Sequence, residues 1–149
     1  MKEIYLFKTM DPKQLEKLGK GAASKSYGPG EDIFTQGDPA TALYIVKFGS
    51  VRIHQKSSKG DRIEISTLGT GSHFGEMAFL DSEKRSASVT AIESTEIITL
   101  PFEWLRKQLD EDKEISLRFY QSLAHFLCGR LRVTTNDLSF VREKNLRFQ

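Results

Sequence analysis

Residues Phe74 to Ala91 read FGEMAFLDSEKRSASVTA, and this stretch interrupts a chain otherwise built from short apolar strands. It carries an acid at Glu76, directly after a glycine, and a base at Arg85, directly before two small residues. Gly75 and the residues after it predict a tight turn into one or two turns of helix, whose first N–H groups point outward without a partner. Such a helix start suits an anion, and so does a guanidinium.

The acid and the base permit two interpretations. Glu76 would accept a hydrogen bond from a sugar hydroxyl while Arg85 and the nearby backbone bind phosphate, which together describe a nucleotide pocket. Alternatively, Glu76 and Arg85 pair with each other as a structural salt bridge. The chemistry of these two side chains leaves both interpretations open.

The surrounding sequence predicts a β structure from about Ser24 to Leu100. Short segments rich in Ile and Val alternate there with turns that contain glycine. The predicted strands cover residues 32–34, 42–47, 50–56, 62–68, 87–92 and 96–100. Many short strands with regular turns are typical of a sandwich, jelly roll or barrel.

Helices are predicted at both ends of this β region. Asp11, Pro12 and Gln14 predict the start of a short helix within an N-terminal segment, residues 1–23. The C-terminal segment, residues 101–149, begins with a short predicted helix that an acidic run closes at residues 110–112. We therefore expect one α+β domain over residues 1–149, with antiparallel strands in residues 24–100.

A long predicted helix, from about Lys113 toward Leu146, carries two apolar stripes. The first is a heptad seam: Leu117, Tyr120, Ala124, Leu127, Leu131, Thr134, Leu138 and Val141. The second covers mainly the first half of the helix: Ile115, Phe119, Leu123 and Phe126. We expect one face to pack on the same chain and the other to form a parallel homodimer, although a helix packed only on its own chain is the alternative. The polar seam residue Thr134, beside Thr135, serves either helix register or hydrogen bonding.

The length and composition of the chain exclude several classes of protein. With 149 residues, one domain is expected, and 22 Lys and Arg against 20 Asp and Glu give a net charge of +2, without a strong nucleic-acid footprint. No apolar run approaches the ~20 residues that cross a bilayer, and no secretory signal is evident, so we expect a cytoplasmic protein. The single cysteine, Cys128, excludes an intrachain disulfide. Since His54, His73 and His125 are far apart in sequence, we expect no metal site, cofactor or catalysis.

FGEMAFLDSEKRSASVTA closely resembles the phosphate-binding cassette of the cyclic nucleotide-binding domain family, which reads F-G-E-[LM]-A, a short variable segment, then R-x-A-[ST]-V-x-A. Residues 27–38 resemble the family's G-E-x-I-[FV]-x-Q-G-D turn, and residues 43–51 resemble its L-Y-[IV]-[IV] strand and G-x-V turn. The resemblance runs from about residue 5 to residue 140. It implies an eight-stranded antiparallel jelly roll with a short N-terminal helix and a long C-terminal dimerisation helix.

The resemblance also implies a cyclic nucleotide site in and around residues 74–91. In such a site Glu76 accepts the ribose 2′-hydroxyl, and the backbone of Gly75 and Met77 lies beside it. The cyclic phosphate is expected at the Arg85 guanidinium and at two backbone amides, those of Ser86 and Ala87. The apolar floor is expected to include three side chains: Ile53, Ile65 and Leu68.

The C-terminal sequence indicates which nucleobase the site prefers and what kind of protein the chain belongs to. Residues 131–138, LRVTTNDL, resemble the dimer helix of the family's bacterial catabolite activators, in which a threonine and the next hydroxyl, from the partner subunit, reach adenine. Thr134 and Thr135 match these positions, which favours cyclic AMP over cyclic GMP. The chain stops at Gln149 without a helix-turn-helix, so we expect no direct nucleic acid binding. A sensor, a fragment of a larger transcription factor or enzyme, and a nucleotide-free dimerisation domain are the alternatives.

Overall fold

Two short helical segments open the chain in the computed structural model, which describes residues 4–147. A 3-10 helix covers Tyr5–Phe7, and helix α1 covers Pro12–Gly19. The α1 start is as predicted, because the Asp11 carboxylate accepts a hydrogen bond from the Gln14 N–H at 2.8 Å and the Gln14 side chain accepts one from the Asp11 N–H at 3.0 Å. Residues 1–3 and 148–149 of the predicted terminal segments lie outside the described residues.

Eight antiparallel strands form two four-stranded sheets in the described residues. They are β1 Ala23–Tyr27, β2 Asp32–Phe34, β3 Ala42–Phe48, β4 Ser50–Lys56, β5 Arg62–Gly69, β6 His73–Phe74, β7 Ser88–Ala91 and β8 Thr95–Pro101. The first sheet has the order β1-β8-β3-β6 and the second has the order β2-β7-β4-β5. This arrangement confirms the predicted jelly roll.

Two of the strands, β1 and β6, are not among those that the sequence pattern predicts. In β1 the first four side chains are all exposed, so no apolar alternation indicates a strand, and its pairing with β8 depends on backbone hydrogen bonds. Strand β6 has only two residues and pairs with the middle of β3. Both strands belong to the first sheet, which is therefore larger than the sequence pattern indicated.

Three further helices lie in the described part of the chain: α2 Met77–Asp81, α3 Phe102–Glu111 and α4 Lys113–Arg147. Asp112 separates α3 from α4 with an extended backbone, and its carboxylate accepts a hydrogen bond from the Ile115 N–H at 3.1 Å, which caps α4. The 35 residues of α4 give a length of about 52 Å. Within residues 4–147, no helix is both long enough and apolar enough to span a membrane.

The core has two parts, and α4 contributes to one of them. Between the two sheets lie apolar residues that include Val46, Val51 and Ile97. The larger part lies between the first sheet and the helices, where the second stripe of α4 is buried through Ile115, Phe119 and Leu123. The heptad seam faces the other way and leaves large apolar side chains exposed: Leu117, Leu131, Leu138 and Val141. One face of α4 is thus packed on its own chain. Within residues 4–147 the seam is partly covered at Tyr120 and Leu127, while its C-terminal half is exposed.

Candidate nucleotide site

A cavity of about 500 Å³ opens between the second sheet, α2 and α4. Its wall contains nine of the residues predicted for the site: Ile53, Ile65, Leu68, Gly75, Glu76, Met77, Arg85, Ser86 and Ala87. Helix α4 closes one side with Phe126, Leu127 and Arg130. Cavities of this size, with an apolar wall and a few convergent polar groups, are typical of small-molecule sites.

The sheet side of the cavity is shaped by a bulge in β5. Ile53 lies opposite Ser66, whereas the next residue, His54, lies opposite Glu64, so Ile65 has no partner on β4. This extra residue lets Ile65 line the cavity together with Ile53. The apolar wall therefore depends on a break in strand pairing as well as on strand alternation.

Gly75 makes the turn between β6 and α2 in a conformation that favours glycine. Its φ is +85°, a left-handed conformation that side chains disfavour. A Cβ atom at this position would lie 2.7 Å from Nη1 of Arg85 and 3.3 Å from the carbonyl oxygen of Ala42. The glycine of the F-G-E motif therefore permits both the turn and the close approach of the guanidinium.

Arg85 is buried at the back of the cavity, where backbone carbonyls and aromatic rings hold its side chain. Nη2 donates to the carbonyl of Ala42 at 2.7 Å, and Nη1 donates to the carbonyl of Gly75 at 3.2 Å. The guanidinium lies 4.2 Å from the centre of the Phe34 ring. Burial lowers the pKa of Arg85 below its ordinary value, and Tyr44 opposes this shift. A guanidinium has further N–H groups beyond these two, so it can still meet an anion in the cavity.

The backbone around Arg85 is tied to the upstream turn at residues 36–38. The Arg85 N–H donates to the Asp38 carbonyl at 2.9 Å, and the Gly37 N–H donates to the Arg85 carbonyl at 2.9 Å. This pairing explains why a Q-G-D turn accompanies the cassette. Within residues 4–147, the N–H groups of Ser86 and Ala87 donate to no other group, so they are free to bind an anion in the cavity.

Glu76 is buried with 9% of its surface exposed, and it borders the cavity from the start of α2. Among the ion pairs of the described residues, its carboxylate faces His73, with 3.6 Å between Oε2 and Nδ1, and does not pair with Arg85. The structural salt bridge between Glu76 and Arg85 is therefore not formed. A largely buried carboxylate that makes no salt bridge to Arg85 can accept a hydrogen bond from a ligand hydroxyl.

Thr134 and Thr135 do not line the cavity of the single chain. Both are exposed on α4, beyond Arg130, and the Thr135 hydroxyl donates to the Leu131 carbonyl of its own helix at 2.8 Å. The α4 residues that do reach the cavity lie earlier in the helix. Contact of Thr134 and Thr135 with a base stays a prediction for a paired helix.

The three histidines lie in unrelated environments. The His54 Nε2 is 2.8 Å from the Thr90 hydroxyl and 3.0 Å from Nη2 of Arg62, and burial followed by Arg62 lowers the pKa of His54. His73 is buried beside Glu76, and His125 is exposed on α4. Across residues 4–147, no group of three His, Cys, Asp or Glu side chains is arranged to hold a metal ion.

The cavity is also lined by polar residues that the sequence did not predict: Gln55, Ser72, His73, Asp81, Glu83, Lys84 and Arg130. Gln55 follows Ile53 by two residues on β4, and its Nε2 donates to the Ser86 carbonyl at 2.7 Å, so strand alternation could have identified it. Arg130 precedes Thr134 by one helical turn, and this spacing could have identified it too. His73 carried no such signal, because its burial depends on α4 from the far end of the chain.

Residues 24–112 match the family model described as "Cyclic nucleotide-binding domain". The chain is 38% identical over 100 residues to the cyclic AMP receptor protein of Thermus thermophilus, covering 67% of this chain and 46% of that protein. It is 28% identical over 134 residues to a CRP-like cAMP-activated global transcriptional regulator of Mycobacterium tuberculosis, covering 90% of this chain and 58% of that protein.

Among solved structures, the Thermus thermophilus catabolite activator protein superposes with a TM-score of 0.81 at 32% identity, covering 92% of this chain and 62% of that chain. The chain thus spans about half the length of the curated relatives it matches. The cassette, the jelly roll and the family match agree with one another. By sequence and by fold, this chain belongs to the cyclic nucleotide-binding domain family.

Proposed function

We propose that the chain is a regulatory sensor domain that binds cyclic AMP in the cavity between its second sheet and α4. The observation that supports this most is the cavity itself, since one wall carries both an acid for a ribose hydroxyl and a base for a phosphate. Glu76 accepts the 2′-hydroxyl of the ribose. Arg85 and the free N–H groups of Ser86 and Ala87 hold the cyclic phosphate.

The positions of the charged groups, rather than their sum, support an anionic ligand with a hydroxyl group, because the acids Glu76, Asp81 and Glu83 line the cavity along with the bases Lys84, Arg85 and Arg130. The cyclic phosphate bears one negative charge, and two guanidinium groups border the cavity, Arg85 from the cassette and Arg130 from α4. Ile53, Ile65 and Leu68 pack against the apolar faces of the sugar and base. The ribose hydroxyl and the phosphate thereby meet polar partners, while the rings of the ligand lie against apolar side chains.

Two copies of the chain pair in parallel through the exposed seam of α4. Leu131, Leu138 and Val141 are each more than half exposed in the single chain, and their spacing is that of a coiled coil. In this pair Thr134 of one chain and Thr135 of its partner approach the adenine amino group. This contact favours cyclic AMP over cyclic GMP, and it joins ligand occupancy to the arrangement of the two helices.

The domain acts by binding rather than by catalysis, and its signal passes to an output domain or a partner protein. The relatives named as a receptor and as a transcriptional regulator support such a role. A cyclic GMP sensor and a nucleotide-free dimerisation domain are the competing functions.

A thermal-shift comparison tests the proposed function. With a Kd of about 1 μM, 1 mM ligand stabilises the folded chain by about 4 kcal/mol, which raises the Tm by roughly 10 °C for a domain of this size. We expect this shift with cyclic AMP and a smaller one with cyclic GMP. An equal or larger shift with cyclic GMP would overturn the choice of base, and no shift with either nucleotide would support the dimerisation domain.

A further inference from the structure

His73 is a buried polar side chain at the cavity that lacks hydrogen-bond partners. Only 5% of its surface is exposed, and among the described residues neither Nδ1 nor Nε2 makes a hydrogen bond. Buried polar atoms in folded proteins are nearly always paired, so the lack of a hydrogen bond at Nδ1, the nitrogen that faces the Glu76 carboxylate, requires an explanation. A phenylalanine ring would fill the same space without leaving buried nitrogen atoms unpaired.

The position of the His73 ring is set by α4. Its centre lies 4.3 Å from the centre of the Phe126 ring, with 57° between the two planes. Tyr5 also packs on Phe126, with 5.8 Å between ring centres. These aromatic contacts orient the imidazole so that Nδ1 faces the Glu76 carboxylate.

The gap between His73 and Glu76 is slightly longer than a hydrogen bond. Nδ1 and Oε2 are 3.6 Å apart, and a movement of a few tenths of an ångström would bring them within bonding distance. Glu76 would then use one oxygen for His73 and keep the other for the ligand.

Resting on the cyclic nucleotide function proposed above, we propose that His73 is a positioning residue for ribose recognition. Its Nδ1–H donates to Oε2 of Glu76 and fixes the carboxylate, so that the other oxygen accepts the 2′-hydroxyl of the ribose. His73 does not contact the phosphate or the base in this arrangement. Its effect on affinity therefore depends on the presence of the 2′-hydroxyl.

The test compares cyclic AMP with 2′-deoxy cyclic AMP by calorimetry on the whole chain. In the unsubstituted protein we expect cyclic AMP to bind at least about tenfold more tightly, because only it offers a hydroxyl to the carboxylate. His73→Phe keeps a ring against Phe126 but removes the donor. We expect this variant to lose about fivefold or more in affinity for cyclic AMP and to bind the 2′-deoxy nucleotide unchanged.

A matched pair of substitutions makes the test independent of ring packing. His73→Asn retains an N–H near the position of Nδ1, whereas His73→Gln retains one near Nε2, away from Glu76. We expect the asparagine variant to keep most of the discrimination between the two nucleotides and the glutamine variant to lose it. Equal discrimination in both variants would overturn the positioning role, even if His73→Phe does not fold.

The outcomes also separate this role from the proposed function. If the unsubstituted protein binds neither nucleotide, the proposed function is wrong. If it binds both and His73→Phe weakens them by the same factor, His73 is a packing residue and only the positioning role is overturned.

Discussion

Arg85 donates a hydrogen bond of 2.7 Å to the carbonyl of Ala42, the first residue of β3, which is one of the two central strands of the first sheet. The same guanidinium donates to the carbonyl of Gly75 at the turn into α2. The base proposed for the phosphate therefore also joins β3 to the cassette. Its substitution has two separate consequences, one for folding stability and one for ligand affinity.

Replacing Arg85 by leucine is expected to weaken cyclic AMP binding by at least about tenfold, because a charge-assisted hydrogen bond contributes about 1.5 to 3 kcal/mol. The ligand-free Tm should fall as well, since the buried carbonyls of Ala42 and Gly75 lose their donor. Arg85→Lys keeps the charge without the planar fork, so an intermediate affinity is expected. Calorimetry well below the Tm measures the affinity, and an unchanged Kd in Arg85→Leu would restrict Arg85 to a structural role.

Replacing Gly75 by alanine is expected to reduce both stability and ligand affinity. A left-handed φ costs an alanine about 1 to 3 kcal/mol, and the new methyl group would also displace the Arg85 guanidinium. Gly60→Ala is the matched control, because Gly60 has a φ of +86° with open space around it. We expect Gly60→Ala to lower the Tm by a few degrees and to leave the Kd unchanged, whereas Gly75→Ala changes both. Equal Kd values in the two variants would show that the approach of Arg85 to Gly75 is unimportant for binding.

The exposed seam of α4 predicts a homodimer. We expect one charged side chain introduced into the seam to disrupt it. Leu138→Glu places a carboxylate in the proposed seam, and we expect sedimentation at micromolar concentration to show monomers. Asn136 is exposed and lies two residues away, on the face of α4 opposite the seam. Asn136→Glu adds the same charge there and should leave the dimer intact. A monomeric unsubstituted protein would contradict the dimer directly.

The lowered pKa of His54 predicts that the folded protein becomes less stable as the pH falls. Burial, followed by the charge of Arg62, lowers the pKa of His54 below its ordinary value near 6.5, while Asp32 opposes the shift. The unfolded chain therefore binds a proton at a higher pH than the folded chain does. The contribution of neutral His54 to the free energy of unfolding is fully present above about pH 6.5. It is lost as the pH falls through the lower pKa of the folded state.

The measurement for His54 is the Tm between pH 7.5 and pH 5. We expect the Tm of the unsubstituted protein to fall more steeply than that of His54→Gln. His125→Gln, at an exposed position on α4, is expected to follow the unsubstituted protein. Parallel curves for all three proteins would mean that His54 does not contribute to the pH dependence.

The fold was predictable where local chemistry determines the structure. The capping box at Asp11, the strands rich in Ile and Val and the two stripes of α4 are short-range patterns, and the structure forms each of them. Strand β1 was not predictable in this way, because its exposed side chains show no period. The bulge that turns Ile65 into the cavity depends on the register with β4, which no single strand encodes.

The candidate site was predictable as a set of residues but not as a geometry. The spacing of Glu76 and Arg85 suggested either a salt bridge or a site, and only the folded chain shows that each has different neighbours. Ala42 meets Arg85 from 43 residues away, and Phe126 meets His73 from the last helix. Such contacts arise from the packing of distant segments, so neither periodicity nor motif spacing indicates them.

A calorimetric titration of the chain with cyclic AMP tests the central claim most directly. We predict one binding event per chain with a Kd at or below about 1 μM, which corresponds to about −8 kcal/mol, and a Kd at least tenfold weaker in Arg85→Leu. No detectable binding at millimolar cyclic AMP in the folded, unsubstituted protein would contradict it.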